Sequence, residues 1–423
     1  MTKMTSLAKQ LFDEISCIPC INSHSHMGSE SDRLDANPDI LDFFNHAYPQ
    51  ADLRSAGMTQ EQVDAAFTSD KSFQERWRIF DPYWKSIRLT GYSQAITEGI
   101  RDLLGFDELN RDTVEGISTE LSRRNKPGLY RDVLKNRANI KLSVVNMDDL
   151  VPVDREFFLG LPRLNRFSML NSVTDVEAIE RDCDVTIRTL DDHVSTIQQV
   201  CRDWKASVVA GIKLSQSYHR AMDFTARSRE EVVPIYNRLL RGDYDGLNSP
   251  EGVVLEDYLV FECCRAASDS KLTIQFHQGM RAGNYGGMEG CSPAGLTELM
   301  RTFPDARFDL SHAGYPYLRE GAVLGKTFPN CFLNMSWIHI ISPQGSRQDL
   351  KEWLRMVPAN KILAFGDDVM HVEMVYGHLK MARQNFAIVL SELIEERLLT
   401  DSTALEIASA AFHDTPAILY DIK

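Results

Sequence analysis

The chain has little of what a disulfide-built, membrane-spanning or nucleic-acid-binding protein needs. Eight cysteines are sparse in 423 residues, too few for a disulfide scaffold, and in a reducing compartment such thiols are ordinarily buried. One pair, Cys17-Ile18-Pro19-Cys20, has the C-x-x-C form. It has no second pair at zinc-knuckle spacing and no helix start, so thiols beside or inside a first strand are expected. No apolar run reaches the roughly 18 residues that begin to read as a membrane span. The opening Met1-Thr2-Lys3-Met4-Thr5-Ser6 lacks the apolar core of a secretory signal, which makes a cytoplasmic location the expectation. Positive charge is scarce as well: 46 Lys and Arg stand against 60 Asp and Glu, a formal net charge of -14. Without a basic patch, neither nucleic acid nor an anionic membrane is expected as a partner. Internal repeats, low-complexity linkers and a phosphate-binding Gly-Lys-Ser/Thr loop are also missing.

What is present is an alternation of short apolar runs and amphipathic stretches, in a chain that is 43% hydrophobic. Strands are expected over 18–23, 140–146, 164–170, 208–215, 272–277, 308–311, 331–337 and 361–366. Helices with a 3.6-residue apolar period are expected over 191–206, 255–268, 293–302, 317–327 and 347–356. Ser292-Pro293 and Ser342-Pro343 read as an N-cap followed by a first-turn proline. Repeated strand-helix units with short connections imply a parallel sheet, and eight of them imply an α/β fold of the (β/α)8 TIM barrel kind.

More than a hundred residues separate the first two strands, too many for one crossover helix. Helices over 39–47, 59–67, 73–87, 93–104 and 110–123 make this stretch a helical insertion after strand one. The expected division is therefore 1–29 for the N-terminal helix and first strand, 30–130 for the insertion, and 131–423 for the rest of the barrel. Loops after barrel strands form the rim of the active-site face, so the insertion is placed as lid or substrate wall. Trp77, Tyr83, Trp84, Arg88 and Tyr92 give it aromatic and cationic material, with Trp77 and Arg88 as candidate substrate contacts and a small core of its own as the alternative. Two loop-like stretches stand out, 244–252 and Gly283-Asn284-Tyr285-Gly286-Gly287, the second directly after His277.

The chemistry-bearing residues sit where strands should stop. His24-Ser25-His26 ends the first apolar run, His277 the fifth, His312 follows the sixth and Asp367-Asp368 the eighth. Side chains at i and i+2 of a strand face the same way, so His24 and His26 can grip one ion together. Imidazoles with a carboxylate suit zinc, iron or manganese. Only one of the adjacent aspartates can point inward from an extended segment. Lys213 on strand four and Arg220 in the following Ser217-Tyr218-His219-Arg220 bring cations near the same rim and are candidate contacts for a substrate carboxylate, with ordinary ion pairing as the alternative. His339 and His371 lie a few residues out in loops, and His46, His193, His378 and His413 fall in expected helices, where a locally bonded histidine is the default.

This order of residues resembles the amidohydrolase superfamily over nearly the whole chain. His312-Ala313-Gly314-Tyr315-Pro316-Tyr317, Pro329-Asn330, Ser336-Trp337 and the large insertion resemble the branch holding decarboxylases and uronate-isomerase-like proteins. The resemblance implies that His24, His26, His277 and Asp368 are metal ligands, that Asp368 also handles a proton, and that His312 is an acid/base or carbonyl-polarising group. The pattern Phe-Gly-x-Asp selects Asp368, with Asp367 as the fallback. Binuclear relatives carry a carbamylated lysine at the place of Lys213; the branch implies one ion, with zinc first and manganese or iron as alternatives.

The function expected from these readings is metal-dependent hydrolysis of a small polar or carboxylated molecule. Isomerisation of a uronate-type sugar acid or non-oxidative decarboxylation on the same site is the alternative. A non-catalytic binding protein on the same scaffold would be expected to have lost a ligand, and every expected position is filled. The partner is a small-molecule substrate, and a homo-oligomer is compatible with the long rim loops.

Overall fold

A computed structural model of the protein describes residues 4–284 and 286–423. Eight parallel strands run in chain order: β1 (Cys20–Ser25), β2 (Ile140–Met147), β3 (Phe158–Pro162), β4 (Gly211–Leu214), β5 (Thr273–His277), β6 (Arg307–Ser311), β7 (Cys331–Asn334) and β8 (Ile362–Leu363). They pair in two continuous runs, β1-β2-β3 and β4-β5-β6-β7-β8. Two seams join the runs into a ring. Between β3 and β4, Arg163 bridges Lys213 in parallel, the Ala210 amide donates to the Gly160 carbonyl at 2.9 Å and the Leu164 amide to that of Lys213 at 3.0 Å. Between the end of β8 and β1, the Ser23 amide donates to the Phe365 carbonyl at 3.0 Å and the Asp368 amide to that of His24 at 3.2 Å. The result is the expected TIM barrel, with each parallel strand covered on its outside by helices.

The strand expected over 164–170 is a correction. Asn165–Phe167 is a single 3-10 turn, and the third strand lies earlier. Leu164, Phe167 and Leu170 are each fully buried, a spacing of three that belongs to a helical turn and not to the period of two of a strand. β1 also begins two residues later than expected, leaving Cys17 exposed and Cys20 buried as free thiols.

Between β1 and β2 lie the helices Glu30–Ala36, Ala47–Ser55, Gln60–Phe67, Phe73–Ile87, Gly91–Gly99 and Val114–Arg124, with a 3-10 turn at Ile40–Phe44. Their shared interior is aromatic: Phe44 meets Phe80 and Trp84 with ring centroids 4.8 and 5.5 Å apart, and the Trp84 indole donates to the Leu109 carbonyl at 2.8 Å. The insertion is fastened to the long helix Val372–Glu395 by close backbone approach, since a Cβ on Gly377 would lie 1.9 Å from the Ala95 carbonyl oxygen. Among the described residues, no helix is long and apolar enough to cross a membrane. The stretch Gly283 to Gly287 contains Tyr285, which lies outside the described residues.

Candidate metal centre

Alternation along β1 and the turn after β8 bring the first donors together. His24 and His26 project to one side, and the Nε2 atoms of both lie 3.0 Å from the same oxygen, Oδ1 of Asp368. Asp368 reaches that point through a left-handed backbone (φ 51°), and Gly366 makes room for it, because a Cβ there would lie 2.4 Å from Cβ of Ser336 and 2.9 Å from Cβ of His24. His312 sits on a tight turn after β6, also left-handed (φ 67°), its amide anchored on Ser336 Oγ at 2.9 Å. Its ring lies 4.8 Å from that of His24 and 4.5 Å from that of His277. Donor atoms of His24, His312 and Asp368 all fall within 4.8 Å of one another.

Hydrogen-bond donors and acceptors decide what this cluster suits. Lys213 Nζ donates to Gln275 Oε1 at 2.9 Å, so Oε1 is the acceptor end of that amide. His24 Nδ1, 2.7 Å from the same Oε1, must then carry its proton. A neutral His24 therefore turns the lone pair of Nε2 towards Oδ1 of Asp368, two acceptors face to face at 3.0 Å. Such a contact asks for a cation. In a tetrahedral site with bonds of about 2.1 Å, neighbouring donors stand roughly 3.4 Å apart, so the donor set fits a small divalent ion with little adjustment. His277 is prepared in the complementary way: Nε2–H is engaged by the Met280 carbonyl at 3.2 Å, which leaves Nδ1 as the lone-pair atom.

The electrostatics agree. Burial, reinforced by the Lys213 charge, lowers the imidazolium pKa of His24 to about 4 and of His277 to about 3. Burial and His277 hold His312 well below its ordinary value. Asp367, the sequence alternative, faces away: its Oδ1 accepts from the Val369 amide at 2.9 Å, its Oδ2 from the Asn22 side chain, and burial raises its pKa to about 8.

These residues line a cavity of about 180 Å³ together with His46, Tyr48, Asn146, Arg163, Lys213, Ser215, Tyr218 and Ala282. Of the sequence candidates, His24, His26, Lys213, His277, His312 and Asp368 meet here. Arg220, Arg88 and Trp77 do not line it. Arg220 pairs with Asp257 at 2.8 Å and with Glu256, fastening the loop after β4 to the helix Pro250–Asp269. Arg88 is an exposed helix C-cap, and Trp77 packs on Phe80 inside the insertion. The insertion does supply a wall, but through His46 and Tyr48. His46, expected within a helix over 39–47, is the N-cap of Ala47–Ser55.

Arg163 is the main residue sequence reasoning missed. It follows β3 directly, and the late placement of that strand hid it. Its Nε donates to Asn146 Oδ1 at 2.9 Å and its Nη1 to Asp148 at 2.6 Å. Gln275 was legible as the i−2 neighbour of His277 on an inward face, and Tyr218 as the neighbour of Arg220 in the same rim motif.

Comparison with known proteins extends this picture. A family model described as amidohydrolase matches residues 189–422, more than half of the chain. Protein fluG of Emericella nidulans is 23% identical over 224 residues, which are 51% of this chain and 26% of that protein, so the chain spans about a quarter of the curated relative it matches. Solved structures share the fold end to end. A uronate isomerase from Thermotoga maritima has a TM-score of 0.81 at 15% identity, covering 99% of this chain and 98% of the other. A glucuronate isomerase from Caulobacter crescentus has a TM-score of 0.81 at 17% identity, covering 99% and 94%. The family match takes in β5 to β8, the strands that deliver His277, His312 and Asp368, and with that overlap the assignment follows: the chain belongs to the amidohydrolase family.

Proposed function

We propose that the protein is a metal-dependent hydrolase of a small carboxylated molecule, binding one divalent ion, zinc in first place with manganese or iron as alternatives. His24, His26 and Asp368 would hold the ion, with His277 as the further donor. The single observation that carries this reading is the convergence of two imidazole nitrogens on one oxygen of Asp368, each at 3.0 Å, in a cavity whose wall also holds Arg163 and Lys213.

A divalent ion bound there supplies Lewis acidity, polarising a substrate oxygen and bringing the pKa of water from about 15.7 towards about 7. The chain's own residues do the rest. Asp368 takes a proton and returns it to the leaving group through Oδ2, the oxygen the two histidines do not share. His312 is neutral at physiological pH because it is buried, so it acts by hydrogen bonding to developing charge and not as a cation. Arg163, aimed by Asn146 and Asp148, and Lys213 suit a substrate carboxylate. Lys213 Nζ already donates to Gln275 and to Ser311 Oγ at 2.9 Å each, which engages it within the protein and supports a single ion in the site. His46, Tyr48 and Tyr218 narrow the cavity around the site.

Turnover of lactones, amides and other small carboxylates by metal-reconstituted protein tests the reading. The expected result is a split product whose formation depends on added metal and disappears in Asp368→Asn; loaded protein that splits none of them contradicts it. One observation favours a second reading, isomerisation of a uronate: two isomerases of such sugar acids match 99% of this chain in fold, insertion included. Proton exchange at a sugar carbon without cleavage would mark that activity, and carbon dioxide release would mark a decarboxylase.

A further inference from the structure

We infer that Gln275 is a positioning residue whose amide, locked from both ends, sets the tautomer of His24 and thereby the strength of the metal site. The inference rests on the reading of His24 as a ligand. A ligating imidazole must present a lone pair, and the hydrogen bond made by its other nitrogen decides which atom does so. For His24 that bond goes to Gln275 Oε1 at 2.7 Å. An amide is ambiguous by itself, since rotation by half a turn would offer a donor in the same place.

The surroundings remove the ambiguity. On the Oε1 side stands Lys213, whose Nζ donates at 2.9 Å and gives a second proton to Ser311 Oγ, itself committed to the Phe276 carbonyl. On the Nε2 side the partners are the Ser23 carbonyl at 3.2 Å, Asp309 Oδ2 at 2.7 Å and the Tyr420 hydroxyl at 3.0 Å. Tyr420 gives its own proton to Asp309, and Asn334 donates to the same carboxylate at 3.1 Å, so Asp309 stays an acceptor towards Gln275. Rotation of the amide would set its NH2 against the N–H that Lys213 donates and its oxygen against a carbonyl and a carboxylate. Gln275, Lys213, Asp309 and Tyr420 are all buried. Tyr420 is the fourth residue from the end of the chain, so the C-terminal segment under the barrel closes a chain of bonds that ends on the metal site.

Zinc binding to the chelator-treated full-length protein, measured by competition with a chromophoric chelator, reads the effect. Gln275→Met, nearly isosteric but without the amide, is expected to raise the Kd for zinc about 10- to 100-fold. Gln275→Glu keeps an acceptor towards His24 and Lys213, and is expected to bind zinc at least as tightly as wild type. A role confined to stability would lower the unfolding temperature of Gln275→Met and leave its Kd in place. Nitrogen-15 spectra of zinc-loaded wild type add a reading that needs no variant: the proton of His24 belongs on Nδ1. A Kd for Gln275→Met within about threefold of wild type, a Gln275→Glu as weak as Gln275→Met, or a proton on Nε2 of His24 each overturn the inference and leave the metal reading standing. Wild type that takes up neither zinc, manganese nor iron overturns both, and does so before any variant is compared.

Discussion

Buried histidines occupy two regions of this molecule, and the difference between them separates a site from a core. At the barrel mouth, His24, His277 and His312 are buried around Asp368. Behind the barrel wall, His193, His339 and His378 are just as buried, and burial lowers their pKa to about 4, 4 and 3. Burial and pKa therefore do not tell the regions apart. Partners do. Each histidine of the second group meets a backbone carbonyl of its own: Phe167 at 2.8 Å, Ala364 at 3.0 Å and Asp367 at 2.9 Å. A carbonyl only accepts, so each such ring nitrogen carries the proton; the second nitrogen of His339 meets Asn385 at 3.1 Å, and those of His193 and His378 are buried without a partner. At the mouth, lone pairs of several side chains face one another across a cavity, a need that only a cation meets.

The largest expected effect is the loss of stability with falling pH, to which the second group contributes whether or not the mouth holds an ion. A histidine whose folded pKa lies below its unfolded value of about 6.5 costs stability as pH falls, because the unfolded chain takes up a proton that the folded one refuses. His193, His339 and His378 together are expected to remove about 4 kcal/mol per pH unit between about pH 6.5 and pH 4, with the loss levelling off below, at about 1.4 kcal/mol per unit for each group. Urea unfolding at a series of pH values checks this; a flat profile over that range would mean that these rings are protonated in the folded state. At the mouth, Asp368→Asn is expected to reduce turnover by about 10²- to 10⁴-fold with little change in the unfolding midpoint. Arg163→Met should raise KM for a carboxylated substrate about 10- to 100-fold, the worth of a hydrogen bond to a charged group, and leave turnover at saturation nearly unchanged. Least affected is metal binding when the second region is disturbed. His378→Phe should cost about 1–3 kcal/mol of stability through the orphaned Asp367 carbonyl and leave the Kd for zinc unaltered. A tenfold weaker site in that variant would erase the distinction between the two regions.

Much of this was written locally in the sequence. His24 and His26 two apart on a strand need no tertiary information to share a face, and strands five to eight are marked by short apolar runs with helix caps between them, as at Ser292-Pro293 and Ser342-Pro343. What was hidden depends on contacts across the chain. Nothing local shows that Arg220 faces Asp257 and Glu256 on a neighbouring helix while Arg163 faces the cavity. Both are single cations just past a strand, and the packing of the next helix decides which is consumed in an ion pair. Trp77 and Tyr48 repeat the lesson within the insertion: both are buried aromatics, one turned into its interior and one against the site. The run from 164 to 170 misled because three leucine and phenylalanine positions spaced by three fill a turn as readily as a strand.

Anomalous X-ray scattering from crystals of zinc-loaded protein tests the central claim most directly. The account predicts one peak at the mouth of the barrel, about 2.0–2.2 Å from Nε2 of His24, Nε2 of His26 and a carboxylate oxygen of Asp368. No peak there, or a peak elsewhere with those three donors unliganded, would contradict it.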